Sequence, residues 1–112
     1  METGSDSKEK RLVFYSDDAA HDAASIHTYT VQTWGEDQAE LYLNLIDSEL
    51  ERLARGDCEG QELDDFPGLR RWLVRWPGAY YSHWVIYRAS ADQLVVVRIL
   101  HTSMNLPDHI KV

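Results

Sequence analysis

Five arginines and one histidine carry the densest chemistry in this sequence: Arg70, Arg71, Arg75, Arg88 and Arg98, then His101. They lie in residues 66–112, which hold six basic and two acidic side chains. Seven aromatics, from Phe66 to Tyr87, are interleaved with them. A basic, aromatic surface of this kind suits an acidic partner. The bland alternative is a sheet that simply carries the aromatics while solvated helix faces carry the acid. Other chemistry is thin. The five histidines, His21, His27, His83, His101 and His109, include no pair at the i, i+4 spacing of a helical metal site. Cys58 has no second cysteine for a disulfide or a thiolate cluster, and reads as a loop thiol. The carboxylates are many but spread over surfaces, so no glycosidase-like acid pair stands out. Phosphate-binding glycine loops, zinc-protease signatures and nucleophile elbows are missing from the sequence. No cofactor and no metal is expected.

The elements that must position these residues are legible from pattern. Arg11–Tyr15 is a short β-type run. Ser16 then offers a helix N-cap, with Asp17 and Asp18 in the first turn where the helix dipole favours anions. Ala19, Ala23, Ile26, Thr30 and Trp34 recur at helical spacing and form a narrow stripe, rich in alanine, that another element can approach closely. Gly35 interrupts the pattern. A second helix is predicted over Glu36–Arg55, burying Ala39, Tyr42, Leu43, Ile46, Leu50 and Leu53, with an acidic outer face and Gly56 as its stop. Two helices meeting at one glycine form an αα-hairpin. After the polar connection Asp57–Gly68, Leu69–Trp76 alternates as a strand, with Trp72, Val74 and Trp76 on one face and Arg71, Leu73 and Arg75 on the other. Trp76-Pro77-Gly78-Ala79 suits a type II turn. Tyr80–Arg88 is the returning strand, and Gln93–His101, the most apolar segment, is predicted to be central. Thr102–Val112 reads as a tail. The expected fold is α+β in the order β-α-α-β-β-β, with an N-terminal strand and helical hairpin packed on a small, mainly antiparallel sheet. Residues 1–10 are expected to be a disordered extension and 11–112 a single domain.

Bulk charge narrows the function classes. The 112 residues carry a formal net charge of −8 and a pI near 4.9. That sum hides a split, because residues 1–65 hold 17 acidic and 5 basic side chains. The acidic helical half argues against bulk DNA binding, which needs a basic surface. No apolar run approaches the roughly 18 residues of a membrane span, and no signal peptide is visible at the start. The single cysteine suits a reducing cytoplasm.

Four stretches, in order and spacing, resemble the RelE/ParE superfamily of bacterial toxins from type II toxin–antitoxin modules, and within it the ParE branch. They are Tyr15–Gly35, ending in Trp-Gly; Pro67-Gly68-Leu69-Arg70-Arg71; Ile86-Tyr87-Arg88; and Val97–Asn105, with His109 following. The similarity spans residues 11–110. It implies a growth-inhibiting toxin neutralised by a cognate antitoxin, whose acidic or amphipathic C-terminal segment folds onto the toxin as a helix or an added strand. ParE-like action implies DNA gyrase as target; RelE-like action implies ribosome-dependent mRNA cleavage. A homodimer, or a toxin fold that only binds a partner, are further readings.

Chemistry separates the two branches. The RelE-type cleavage set draws on lysines, arginines and a late tyrosine on the sheet. Here Lys8, Lys10 and Lys111 all lie at the ends, Trp84 stands where an arginine is expected, and Ser103 and Met104 stand where a cation is expected. That leans against an enzyme. If the chain is a nuclease, Arg71, Arg98 and His101 are the candidates, because some relatives use an Arg–His pair. The binding candidates are Arg70, Arg71, Arg75, Trp76, Tyr80, Tyr81, Trp84, Arg88, Arg98, His101 and Met104. The hairpin Trp72–Trp84 is longer than usual for ParE, and its aromatics suit an exposed partner site.

Overall fold

A computed structural model of the chain describes residues 10–77 and 81–110. Strand β1 (Leu12–Tyr15) leads into helix α1 (Asp17–Trp34) and helix α2 (Glu36–Arg55). There follow β2 (Gln61–Glu62), β3 (Arg70–Arg75), β4 (Ser82–Ala89), β5 (Gln93–His101) and the one-turn helix α3 (Leu106–His109). The five strands form one sheet in the order β1-β5-β4-β3-β2, with β1 parallel to β5 and every other pair antiparallel. The architecture is the expected α+β arrangement. Two small elements, β2 and α3, fall inside segments whose polar composition marks them only as a connection and a tail. β5 is interior, between β1 and β4, but the middle strand is β4. The expected extension lies outside the described residues except for Lys10, which pairs with Glu51 at 2.8 Å. Gly78 and Ala79 of the expected turn and Tyr80, the first residue of the expected return strand, also lie outside the described residues.

Local chemistry sets the helix boundaries. The Ser16 hydroxyl accepts from the Ala19 N–H at 3.0 Å and caps α1. Gly35, at φ 97°, closes α1 and opens α2. Gly56 takes the left-handed conformation at φ 76° and its N–H reaches the Arg52 and Leu53 carbonyls. Of the α1 stripe, Ala19, Ile26 and Thr30 are buried, whereas Trp34 is 61% exposed. Trp34 is the last helical residue before the Gly35 bend, so the stripe carries it past the edge of the core.

The sheet has two apolar faces. On one, the hairpin packs Ala19, Ile26, Tyr42, Ile46, Leu50 and Leu53 against Val74, Val85, Tyr87, Leu94, Val96 and Ile99. Each buried aliphatic of this set contributes about 1.5–3 kcal/mol of burial. On the other face, Leu69, Ile86, Leu100 and Ile110 make a smaller core under the Leu63–Phe66 loop and α3. A bulge in the β4–β5 ladder makes both possible. Tyr87 pairs with Val96 and Ile86 with Arg98, leaving Val97 extra. The facing of β5 therefore shifts: Leu94 and Val96 point to the helices, and so does Ile99, three residues on. Strict alternation cannot anticipate that shift.

Close approaches pin the periphery. Arg11 donates to the Ser90 carbonyl at 2.6 Å and its backbone N–H reaches Ala54, tying β1 to the end of α2. Gly60 donates its N–H to the Tyr87 hydroxyl at 2.6 Å. A Cβ there would sit 2.4 Å from the Arg71 carbonyl oxygen. Gly60→Ala is expected to lower stability by about 2 kcal/mol, read as a fall in the urea midpoint at unchanged slope.

Candidate interaction surface

The edge of β5 beyond β1 is closed by α1 rather than by a strand. The Ser16 hydroxyl donates to the Val97 carbonyl at 2.7 Å and the Ser16 N–H to Val96. One turn on, Asp22 meets Arg98 side by side: Nε to Oδ2 at 2.8 Å and Nη2 to Oδ1 at 2.9 Å. The same Oδ2 accepts the Ile99 backbone N–H at 2.9 Å. Arg98 also donates to the His109 carbonyl at 2.5 Å, so one guanidinium joins α1, β5 and α3. Its bonds to Asp22 hold it firmly in the charged form. The side chains are only 18% and 14% exposed. Arg98 is thus an internal tie. Asp22 was not among the sequence candidates. Its position three residues after Ala19 and four before Ile26 places it inside the apolar stripe, a pattern that calls for a cationic partner.

The face opposite the helices carries Arg71, Arg75 and Arg88. Arg71 lies 4.4 Å above the Trp84 ring and donates to the Gln61 side-chain oxygen at 3.0 and 3.2 Å. Its partners are neutral, so its charge is not cancelled. Arg75 and Arg88 are exposed and share this face by strand alternation. Among the described residues, Arg71, Arg75 and Arg88 have no carboxylate partner, while Arg52, Arg55, Arg70 and Arg98 each have one. Arg70 points to the helix side, held by the Gly60 carbonyl at 2.7 Å and by Glu59. Leu73, between Arg71 and Arg75, is 39% exposed. An open cleft of about 240 Å³ borders Arg71 and is lined also by Leu63, Phe66 and Leu106 and by the acids Glu62, Asp64 and Asp65, none of them paired with Arg71. It is smaller than typical small-molecule pockets of roughly 300 Å³ and above.

The hairpin aromatics divide between the two faces rather than forming one exposed patch. Trp76 and Tyr81 fold back onto the helices and pack on the main core. Tyr81 stacks on Tyr29 at 5.9 Å and its hydroxyl meets the Thr30 hydroxyl at 2.9 Å. Tyr42 lies 4.8 Å from Tyr81, centroid to centroid. Trp84 points the other way, beneath Arg71. Tyr80 lies outside the described residues. Aromatic content alone could not separate inward from outward rings, since both faces of this sheet are partly covered.

A histidine pair closes the same end of the main core. His83 is buried, and its Nδ1 lies 2.8 Å from the Tyr42 hydroxyl. His101 packs edge-on against it at 5.3 Å. Its own Nδ1 is met by the Ser103 hydroxyl at 2.7 Å and accepts the Ser103 N–H at 3.0 Å. Met104 is 43% exposed beside this turn. Burial pushes the His83 imidazole down to about 4, and the neighbouring His101 reinforces the shift. Burial likewise pushes the Tyr42 hydroxyl up. His83 is therefore neutral at pH 7 and shares one hydrogen bond with the Tyr42 hydroxyl.

The three residues named for cleavage each have partners of their own. Arg98 is held by Asp22, Arg71 by Trp84 and Gln61, and His101 by Ser103. No group of three or more potential metal ligands occurs among the described residues. No helix among them is long and apolar enough to cross a membrane.

Fold and surface together define a small α+β domain in which a helical hairpin backs a sheet whose opposite face carries a small apolar core and the arginines Arg71, Arg75 and Arg88. A family model described as the ParE toxin of type II toxin-antitoxin system, parDE, matches residues 13–106. The chain is 33% identical over 93 residues to "Toxin ParE1" of Caulobacter vibrioides, covering 82% of this chain and 90% of that protein. It is 33% identical over 79 residues to "Toxin ParE1" of Mycobacterium tuberculosis, covering 69% of this chain and 74% of that one. A solved chain described as "Chromosomal ParDE TA system from P. aeruginosa" shares the fold, with a TM-score of 0.63 at 18% identity over 82% of this chain and 96% of that one. This chain belongs to the ParE toxin family of type II toxin–antitoxin systems.

Asp22→Ala leaves the Arg98 charge and the Ile99 N–H without their acceptor, and is expected to cost about 3 kcal/mol. Asp22→Asn, which keeps an oxygen for Ile99, is expected to cost less; urea unfolding of the two variants checks the order. His83 binds a proton more weakly folded than unfolded, so the unfolded chain holds more protons between pH 6.5 and about 4. Stability is therefore expected to fall as pH drops through that window and then to stop responding to this group. His83→Gln should flatten that part of the curve of unfolding free energy against pH.

Proposed function

We propose that this ParE-family chain stops growth in the cytoplasm by binding a cellular target, DNA gyrase by family resemblance, and that a cognate antitoxin neutralises it by covering its cationic sheet face. The observation that carries the reading is the disposition of the arginines. Arg98, the most central, is spent on Asp22 inside the fold, so it is withdrawn from any phosphodiester. General acid–base cleavage needs a base, an acid and a cation converging on one phosphate. Arg71 and His101 are instead held by separate partners. Arg71, Arg75 and Arg88 keep their charge and share one face, which suits the carboxylates of a protein segment. The relative described as part of a ParDE system supports an antitoxin as that protein.

Expression of the chain without its antitoxin is expected to arrest growth, and co-expression with it to restore growth. In purified form it is expected to inhibit supercoiling by gyrase and to leave mRNA intact in a ribosome-dependent assay. Normal growth with soluble chain present would overturn the toxin reading. Message cleavage abolished by His101→Ala would replace target binding with nuclease action.

A further inference from the structure

We propose that β1 is a self-association edge, at which two copies of this chain join β1 to β1 in antiparallel register and run their sheets into one. β1 ends the sheet and has a strand neighbour on one side only, β5. The Leu12 N–H donates to the Asp92 carbonyl at 2.9 Å and the Ser16 N–H to the Val96 carbonyl at 2.9 Å. Even-numbered residues of β1 therefore turn their backbone groups to β5, and odd-numbered residues turn theirs outward. One outward N–H, that of Arg11, is taken by the Ala54 carbonyl at 3.0 Å. The N–H and C=O groups of Val13 and Tyr15 face the open edge, and no hydrogen bond to them occurs among the described residues. The side chains along this edge are apolar and uncovered: Leu12 is 64% exposed, Phe14 45% and Tyr15 39%. Edge strands are ordinarily blunted by charge, proline or a bulge. The four residues of β1 carry none of these and run in unbroken register with β5. The nine residues before Lys10 hold one apolar side chain, Met1, and offer little apolar cover.

The residues around the strand specify a second copy as the occupant. Lys10 and Arg11 precede β1 and Asp17 and Asp18 follow it, so the stretch runs cationic, apolar, anionic. Such a stretch complements itself when reversed, which is the demand of a two-fold interface. Centred on Phe14, antiparallel pairing sets Val13 opposite Tyr15 of the second copy, and the outward groups of both exchange hydrogen bonds. Phe14 then meets Phe14 of the second copy at the closely spaced position on the axis, where an aromatic pair is favourable. Arg11 falls alongside Asp17, and Lys10 alongside Asp18, of the second copy. Asp17 and Asp18 are exposed and have no cationic partner among the described residues. Arg11 donates to the carbonyls of Ser90 and Leu53, which leave its charge uncancelled. Lys10 has Glu51, in a pair exposed enough to be shared. Parallel pairing would set like charges side by side. Centring on Val13 would set Tyr15 against Arg11, whose N–H is already spent on Ala54. β1 lies at the opposite end of the sheet from β2 and β3, so the pairing leaves Arg71 and Arg75 uncovered and needs neither antitoxin nor target.

The test follows the mass of the full chain by sedimentation over a concentration series. A dimer is expected to form as concentration rises, with amide exchange slowing at Val13 and Tyr15. Phe14→Lys sets like charges on the axis at an exposed position. It is expected to raise the dissociation constant about tenfold while the chain stays folded. Lys10→Glu and Asp18→Lys are each expected to weaken self-association about threefold. An equimolar mixture of those two variants should recover the wild-type association, because every charged pair across the mixed interface is again opposite in sign. A folding defect in either variant would not be repaired by mixing. A folded chain that stays monomeric at about 1 mM, or a dimer unmoved by Phe14→Lys, would overturn the proposal. Exchange protection elsewhere with none at Val13 and Tyr15 would do the same, as would a mixture that associates no more tightly than its components.

Discussion

The contact between Asp22 and Arg98 is the constraint around which the rest of the molecule is arranged. A parallel strand at one end of β5 leaves the other end without a neighbour, because β1 stops opposite Val96. Backbone groups left there need partners. Helix α1 supplies them, first through Ser16 and then through Asp22, whose carboxylate takes the Ile99 N–H and two guanidinium bonds at once. A charge this poorly exposed is tolerated only when fully paired. The pairing therefore fixes the axial position of α1 along the sheet. The alanines of the α1 stripe follow from that demand, since only small residues let a helix approach closely enough for an aspartate to reach a strand edge.

The same arginine links the two cores. Its bond to the His109 carbonyl draws α3 over the second face, where Ile110 joins Leu69, Ile86 and Leu100. The Val97 bulge is the geometric counterpart. It lets β5 send Ile99 to the helices and Leu100 to the opposite face at the point where Arg98 turns outward to the edge. Removing the bulge would restore regular alternation and carry Ile99 away from the hairpin. One irregularity in one ladder therefore serves the main core, the minor core and the edge closure together.

How much of this was legible in the sequence depended on whether a residue's role is set locally. Helix α2 was legible to its ends, because its buried face is periodic and its stop, Gly56, acts through its own backbone. The four longer strands were legible to within about a residue or two of their ends. The fate of side chains was not. Trp34 and Trp76 look alike in sequence, yet one is exposed and the other packs on the core, because a bend at Gly35 and a turn back toward the helices decide their surroundings. Arg98 reads as a surface cation by strand pattern; its partner lies 76 residues away, and only the tertiary fold joins them. Of the candidate site, Arg71, Arg75 and Arg88 stand together on one face as the alternation implies. The role of Gln61 in orienting Arg71 had no signal, since β2 is too short to show a period.

The net charge of −8 takes on a different meaning once partners are assigned. Acidic residues of the hairpin satisfy some of its own cations, as Glu49 does Arg52 and Glu51 does Lys10 and Arg55. Asp22 neutralises Arg98 at the helix–sheet junction. What remains on the far face is a small positive field from Arg71, Arg75 and Arg88 on a molecule that is otherwise negative. Such a dipolar distribution repels nucleic acid at long range, where net charge dominates, and still favours a carboxylate at short range, where the local field dominates. An acidic protein segment meets a weaker long-range repulsion than a nucleic acid, because it carries fewer charges. On the proposed reading, the charge arrangement favours a short acidic peptide over a polyanion.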